Sequence, residues 1–369
     1  MPPSLGQAFA IADGWVRDGI VPGVSIAVAK HGELLETFTA GKRAAGGGGP
    51  VDVGTLYSIA SVTKPLTAAL VMRLVERGAI TLDEPIRRLV PSLPAEQRDL
   101  NLRDLLRHTS GLAKDDPGEA ELWTREAGFD ELVASAAAIP PDDTGGIRVR
   151  YGNNGYWIAG AAAAAANGTT FAEAMRQHIL EPFGLTETLI APDASIQDRA
   201  ARRYGKAKIM NAPYGRQLAS PAGGLFATAR DLVRFASIFL NKGRDSSGSV
   251  LLSRPSIDLM TTNQTGSLPG GIEGFIQWST GSWALGWEVK GRKTHHWTGD
   301  LTSPATFAHP GQSGCLLWAD PATGLVCAIL ANRDLYTGWT LTPARWARLS
   351  NAIVAAVAGA TIPGDLTPG

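Results

Sequence analysis

The sequence predicts an α/β protein of the α+β type, with an antiparallel β-sheet flanked by helices and an inserted, mainly helical subdomain. Short strand patterns occur near both ends of the chain, whereas its middle is rich in helix formers and poor in alternating β-branched residues. We therefore expect residues 1–80 and 206–369 to form one sheet domain and residues 81–205 to form the helical subdomain.

The N-terminal part predicts a helix, a β-hairpin and a second helix, in that order. The hairpin turns at His31-Gly32-Glu33, between two apolar runs. Residues 44–52 contain a run of glycines and are interpreted as a flexible loop. From Ser61 the apolar residues follow helical spacing, and Gly78 is the predicted stop.

The C-terminal part predicts one amphipathic helix, several short strands and a closing helix. Residues 228–243 have the helical pattern, with Asn241 or Gly243 near the end. After Trp283 short apolar runs alternate with turn residues, and the last two runs flank the turn at 320–324, which indicates an antiparallel hairpin. Residues 342–359 predict the final helix.

Charge and composition exclude several classes of partner. Lys plus Arg and Asp plus Glu number 34 each, so the formal net charge is zero. A nucleic-acid-binding protein needs a basic excess, and we therefore expect no nucleic-acid partner. No apolar stretch is long enough to cross a membrane and no signal-peptide pattern opens the chain, so we expect no membrane association and a cytoplasmic location. A signal peptide already removed is the alternative.

The cysteine and histidine patterns indicate neither a metal nor a cofactor. Cys315 and Cys327 both lie in apolar runs, which favours buried thiols over a disulfide. The adjacent pair His295-His296 would point to opposite faces of an extended chain, and no third ligand accompanies it.

A serine and a lysine three residues apart give the first chemical signal. Pro65 belongs in a first helical turn, so the helix begins near Ser61, and Ser61 and Lys64 share one face of it. A serine hydroxyl needs an adjacent base to attack, and a lysine serves as one when burial lowers its pKa. Taken alone, the same pattern describes a helix N-cap followed by a solvated lysine.

Two later segments add groups of the kind such a serine needs. Tyr151 and Asn153 lie two residues apart in a loop and offer a phenol for proton transfer and an amide for hydrogen bonding. His309-Pro310-Gly311 lies in a predicted strand, where Gly311 allows close approach of another backbone segment.

These three motifs, in this order, resemble those of the serine β-lactamase and penicillin-binding-protein superfamily. The resemblance is closest to class C β-lactamases, D,D-peptidases, D-aminopeptidases and the β-lactamase-like (family VIII) carboxylesterases. Three flanking segments, residues 102–112, 220–235 and 309–333, also resemble the family pattern, so the likeness extends over nearly the whole chain.

The resemblance implies a role for each motif residue. Ser61 would be the acylated nucleophile, Lys64 would help to deprotonate it, and Tyr151 would be general base and then general acid. Asn153 would bind Lys64 and the acyl side chain of the substrate. The backbone N–H groups of Ser61 and Gln312 would form the oxyanion hole. His309 and Gly311 would belong to the substrate-binding strand.

The third motif departs from that of the antibiotic-hydrolysing enzymes. Those enzymes carry a lysine and a hydroxyl residue where this chain has His309 and Pro310. Histidine is mostly neutral at pH 7, and proline has neither a hydroxyl nor an N–H. A substrate carboxylate would lose its charged partner, which favours neutral esters or amides. Relatives that resemble D-aminopeptidases also have a His-x-Gly third motif, so this motif does not fix the substrate. The second motif has Gly152 where serine is common, with little expected loss.

We therefore predict a serine hydrolase, specifically a carboxylesterase whose partner is a small-molecule ester or amide. The alternatives are a β-lactamase, a D,D-peptidase or D-aminopeptidase, an acyltransferase, and a non-catalytic penicillin sensor. No nucleophile elbow of the Gly-x-Ser-x-Gly type occurs, which argues against an ordinary α/β-hydrolase triad. His309 as the base for Ser61 ranks below Lys64 and Tyr151. The sequence does not fix the oligomeric state.

Overall fold

The computed structural model describes residues 4–94, 97, 99–116, 118–143, 145–205, 208–335 and 344–358. Its α-helices are α1 (Leu5–Arg17), α2 (Thr63–Glu76), α3 (Leu102–Leu106), α4 (Glu119–Thr124), α5 (Phe129–Ala138), α6 (Asn154–Asn167), α7 (Phe171–Met175), α8 (Pro213–Gln217), α9 (Ala229–Leu240), α10 (Arg254–Thr261) and α11 (Ala344–Ala358). Its strands are β1 (Gly23–Lys30), β2 (Glu33–Ala44), β3 (Gly47–Pro50), β4 (Tyr57–Ser58), β5 (Val149–Arg150), β6 (Thr188–Ile190), β7 (Leu225–Ala227), β8 (Gly270–Ile272), β9 (Ile276–Trp278), β10 (Glu288–Val289), β11 (Phe307–Gly311), β12 (Cys315–Asp320) and β13 (Leu325–Ala331).

The main sheet joins the two ends of the chain, as predicted. It has the order β10-β11-β12-β13-β1-β2-β3, and its neighbouring strands are antiparallel. The hairpin from β12 to β13 turns at the predicted place and then pairs with β1, with Ile26 opposite Ile329. The predicted α+β fold class is therefore confirmed.

Both faces of this sheet are buried, because strand alternation sends successive side chains to different cores. In β13, Cys327 and Ile329 pack with α1 and α11, whereas Val326 and Ala328 pack on the other face with α2 and α9. Both cysteines are free and buried, as expected from their apolar surroundings. The molecule therefore has three layers: two terminal helices, the sheet, and the helices that carry the candidate site.

Where the structure describes residues 81–205, this segment contains α3–α7 and, as strands, only the short β5 and β6. Two small sheets connect this segment to the rest of the chain: β6 pairs with β7, and β5 pairs with β8. The domain boundaries near residues 80 and 205 stay a prediction.

The interpretation of residues 44–52 as a flexible loop is wrong. β2 runs to Ala44 and pairs with the glycine-rich strand β3, with Lys42 opposite Pro50 and Ala44 opposite Gly47. Gly46 takes a φ of +77° at the turn, where a residue with a side chain would be strained. The glycines thus form a hairpin at the sheet edge, because strand pairing there needs only backbone groups.

The helix α2 is buried on nearly all sides. It packs against α6, α7 and α10, and its polar residues Lys64 and Thr67 have no solvent exposure. Such buried polar groups must find hydrogen-bond partners inside the protein, and those partners form the candidate site. The predicted closing helix is described over Ala344–Ala358, and the first two residues and the last residue of the predicted range lie outside the described residues. No helix in the described ranges has both the length and the apolar character required for crossing a membrane.

Candidate active site

Ser61 lies at a sharp turn between β4 and α2. The preceding residue, Ala60, has a φ of +48°, which is unusual for a residue with a side chain. A short 3₁₀ turn over Ala60–Val62 then leads into α2, so the predicted helix start near Ser61 is confirmed. Ser61 is half-buried and lines a cavity of about 250 Å³. The backbone thus presents its hydroxyl to a space that a small molecule can enter.

Lys64 is fully buried beneath Ser61 and has three polar neighbours. Its Nζ lies 3.1 Å from Ser61 Oγ, 2.9 Å from Asn153 Oδ1 and 3.0 Å from the carbonyl oxygen of Ala222. Burial lowers the pKa of Lys64 from 10.5 to about 7, and the carboxylate of Asp115 partly opposes this shift. A large fraction of Lys64 is therefore neutral at pH 7 and able to accept a proton.

The second motif lies at the junction of β5 and α6, next to Lys64. Asn153 precedes α6, and its Nδ2 donates a hydrogen bond to Asp115 Oδ1 over 2.9 Å. The Tyr151 ring is 7% exposed, and its centroid lies 4.9 Å from Lys64 Nζ. The predicted serine, lysine, tyrosine and asparagine thus come from two separate segments that meet at the start of α2.

The unusual Gly152 of the second motif has a steric explanation. A Cβ at this position would lie 2.6 Å from the carbonyl oxygen of Lys114, which also accepts a hydrogen bond from the Asn153 N–H. A serine side chain would not fit here without moving the loop that carries Asp115.

His309 is fully buried behind the site and is a neutral side chain. Its Nδ1 lies 2.8 Å from the carbonyl oxygen of Pro310. Because a carbonyl oxygen can only accept, Nδ1 carries the proton and donates a hydrogen bond to that oxygen. Burial and the charge of Lys64 lower the pKa of His309 to about 3. The ring packs against Tyr151 and Trp283. Such a weakly basic group is a poor proton acceptor for Ser61. The contact of His309 with substrate stays a prediction.

Gly311 brings the third-motif strand against the turn that carries the nucleophile. A Cβ here would lie 2.4 Å from the carbonyl oxygen of Ile59, so only glycine allows this approach. The next residue, Gln312, lines the same cavity as Ser61, and its carbonyl accepts a hydrogen bond from the Leu335 N–H. The two backbone segments predicted to supply the oxyanion hole therefore border one cavity.

Sequence reasoning missed the acidic wall of this cavity. Asp115 and Glu119 line it, together with Trp123 and the buried residues Trp157 and Arg203. Burial raises the pKa of Glu119 to about 7, and the charges of Asp115 and Asp116 add to the effect. The only signal in the sequence was the run of acidic residues that follows Gly111.

Two further histidines, His108 and His296, are buried in the protein. His108 is buried against the Tyr151 ring at 4.7 Å between centroids, and burial lowers the pKa of His108. His296 is buried, and its Nε2 lies 3.3 Å from Glu288 Oε1. Within the described residues, no group of three or more potential metal ligands occurs. A larger surface groove, near His31 and Arg230, contains none of the predicted catalytic residues.

Comparison with known proteins now identifies the family. The family model described as Beta-lactamase matches residues 10–348. "Penicillin-binding protein 4" from Amycolatopsis lactamdurans is 30% identical over 338 residues, which cover 86% of this chain and 83% of that protein. "Esterase EstB" from Burkholderia gladioli is 30% identical over 194 residues, which cover 48% of this chain and 49% of that protein.

Similarity to solved structures agrees with this result at the level of the fold. The crystal structure of a family VIII carboxylesterase has a TM-score of 0.78 and 22% identity, covering 94% of this chain and 95% of that chain. The resemblance inferred from the three motifs is thus confirmed: the chain belongs to the β-lactamase family and is a serine hydrolase of the β-lactamase and penicillin-binding-protein superfamily.

Proposed function

We propose that this protein is a carboxylesterase that hydrolyses esters without a carboxylate group, through an acyl-enzyme on Ser61. The contact between the Ser61 hydroxyl and the Lys64 amine, whose pKa is near 7, supports the nucleophile assignment. The neutral, buried His309 supports the choice of substrate.

In the proposed acylation step, the neutral Lys64 amine takes the Ser61 proton, with Tyr151 as relay. The serine oxygen forms a bond to the ester carbonyl carbon, and the carbonyl oxygen becomes an oxyanion. The backbone N–H groups of Ser61 and Gln312 donate hydrogen bonds to that oxyanion; one such donor contributes about 3–4 kcal/mol in a well-studied hydrolase.

The tetrahedral intermediate then collapses and the ester C–O bond breaks. Tyr151 donates a proton to the leaving alcohol oxygen and recovers one from Lys64. In the second half, a water molecule loses a proton through Tyr151 to the neutral Lys64 amine and attacks the acyl carbon. The bond between that carbon and the Ser61 oxygen then breaks, the acid leaves, and Ser61 regains a proton from Lys64. Asn153 keeps Lys64 in place through the hydrogen bond at its Oδ1.

The substrate class follows from the third motif. β11 offers a substrate carboxylate neither an ammonium nor a hydroxyl, because its third-motif residues are the buried, neutral His309 and Pro310. A charge-assisted hydrogen bond contributes about 1.5–3 kcal/mol, so its absence costs roughly tenfold or more in affinity for an anionic substrate. Neutral esters incur no such loss.

A second candidate activity is amide hydrolysis on β-lactams or D-amino-acid peptides. It is favoured by the 30% identity to "Penicillin-binding protein 4" over most of both chains. Ester hydrolysis and amide hydrolysis would use Ser61 in the same way. The kcat/KM values for ester and amide substrates therefore distinguish the two activities.

The test measures short p-nitrophenyl esters, a chromogenic cephalosporin and a D-alanine anilide on one preparation. We expect kcat/KM for the ester to exceed that for the other two substrates, and Ser61→Ala to abolish turnover. Ser195→Ala is the control, because Ser195 is an exposed surface serine. Cephalosporin hydrolysis at least as efficient as ester hydrolysis would replace the esterase proposal with the second one. Near-normal ester turnover by Ser61→Ala would overturn both.

A further inference from the structure

The cavity beside Ser61 has an acidic side. Asp115 and Glu119 line it close to Asn153, and both carboxyl groups are near enough to Lys64 to influence its charge. Asp115 accepts a hydrogen bond from Asn153 Nδ2 and lies 3.7 Å from Lys114 Nζ. Within the part of the chain that the structure describes, no hydrogen bond or ion pair engages the Glu119 carboxyl group.

The basic side chains in and beside this cavity already have partners. Lys64 is held between Ser61 and Asn153, and the guanidinium of Arg203 forms a buried ion pair with Asp334. The Glu119 carboxyl group is therefore the charged group in this lining that still lacks a partner among the described residues.

Arg203 adds a buried hydrogen-bond donor to the lining of this cavity, and an acceptor such as the carbonyl oxygen of a bound ester would pair with it. It is only 6% exposed and lines the cavity, yet its Nη2 has no hydrogen-bond partner among the described residues. A buried donor without a partner costs free energy unless a ligand or water satisfies it. Its charge is balanced by Asp334, so Arg203 offers a hydrogen bond without making the cavity cationic.

The two tryptophans of this cavity favour a ligand with a positive charge. Trp123 and Trp157 line the cavity with Glu119. The face of an indole ring attracts cations, and a carboxylate beside it strengthens that attraction. The raised pKa of Glu119 arises from burial and neighbouring negative charge, both of which a bound cation would offset.

We propose that this cavity receives the acyl part of an ester that carries a protonated amine, with Glu119 and Asp115 as the residues that select it. The inference rests on the proposed esterase function and narrows its substrates. The lining includes Asn153 and Gln312 but not Tyr151, the proposed proton donor to the leaving alcohol. The cavity therefore belongs to the acyl side of the scissile bond.

The experiment compares three methyl esters with acyl groups of similar size and different charge. They are the esters of 3-aminopropanoic acid (cationic), butanoic acid (neutral) and succinic acid esterified at one end (anionic). Acid release is measured at a pH of about 8, where an aliphatic amine is still largely protonated. We expect kcat/KM to be at least about tenfold higher for the cationic ester than for the neutral one, and lowest for the anionic one.

The variants are Glu119→Gln and Asp115→Asn, and the readout is the cationic-to-neutral ratio of kcat/KM. We expect this ratio to fall toward one in Glu119→Gln and to fall partly in Asp115→Asn. The ratio cancels any general loss of activity, and hydrolysis of the butanoate ester reports that the variant is folded. Glu121→Gln is the matched control, because Glu121 is an exposed acid on the same helix and does not line the cavity. It should leave the ratio unchanged.

The outcomes separate this inference from the proposed function. Ser61-dependent hydrolysis of the butanoate ester with no preference for the cationic ester would overturn the inference and leave the esterase proposal intact. A preference that survives in both Glu119→Gln and Asp115→Asn would also overturn it, because the cation would then bind elsewhere. Absence of Ser61-dependent hydrolysis of any of the three esters would refute the esterase proposal itself.

Discussion

Replacing Lys64 with methionine should change the stability of the protein in a pH-dependent way. Methionine has similar length and no charge, so it removes the titrating group while largely filling the space. Lys64 is fully buried, and burial lowers its pKa from 10.5 in the unfolded chain to about 7 in the folded one. Between these two values the unfolded chain holds a proton that the folded chain has released.

The sign and size of the effect follow from proton linkage. Stability rises with pH wherever the unfolded state binds more protons than the folded state. The Lys64 amine should therefore raise the free energy of unfolding of the wild type as pH increases from 7 to 10.5. Each pKa unit corresponds to about 1.4 kcal/mol, so the full shift amounts to about 5 kcal/mol. Between a pH of about 6 and about 9, the wild type should gain about 3 kcal/mol relative to Lys64→Met.

The assay is urea unfolding of both proteins at these two pH values. The difference between wild type and variant cancels the contributions of the titrating groups that do not interact with Lys64. The loss of three hydrogen bonds shifts the variant by a similar amount at both pH values, so it does not affect the comparison. Lys42→Met, which replaces an exposed lysine, should show no such pH-dependent difference. A difference between wild type and Lys64→Met that stays constant with pH would refute the account of Lys64 as a buried base.

Three further predictions concern the site. Tyr151→Phe should keep the fold, checked by circular dichroism, and lower kcat by about 10²–10⁴-fold through loss of the proton carrier; near-normal kcat would contradict that role. Gly160→Ala should lower the free energy of unfolding, measured in urea, by about 1–3 kcal/mol, because the new Cβ would lie 2.2 Å from Pro221 Cγ. Gly155→Ala is the control and should be tolerated, because its Cβ would have a nearest contact of 3.4 Å. Equal stability of the two variants would refute this packing argument. The kcat/KM for a neutral ester should rise as pH increases through about 7, because Lys64 must lose its proton to act as a base; a rate that falls over this range would exclude this role.

The sequence predicted most of the fold because its signals are local. The pattern of β12, turn and β13 lies within 17 consecutive residues, and Pro65 fixes the start of α2 within one turn. The glycine-rich hairpin at β3 was missed because glycines carry no side-chain pattern, and edge pairing depends only on where the chain returns.

The candidate site was predictable only in part, since its motifs are local but its environment is not. The carbonyl of Ala222, which binds Lys64, is 158 residues away in the chain. The burial of His309 depends on the packing of Trp283 and Tyr151 around it. Glu119 faces a cavity rather than solvent for the same reason, and no spacing rule reveals which face of a short helix is enclosed.

The most direct test of the account is to locate the acyl group during turnover. The enzyme is mixed with excess p-nitrophenyl butanoate, quenched in acid within the first turnovers, digested, and analysed by mass spectrometry. The account predicts a butanoyl group on Ser61 and on no other residue. A butanoyl group found on a different side chain, or an adduct that still forms and turns over in Ser61→Ala, would contradict it.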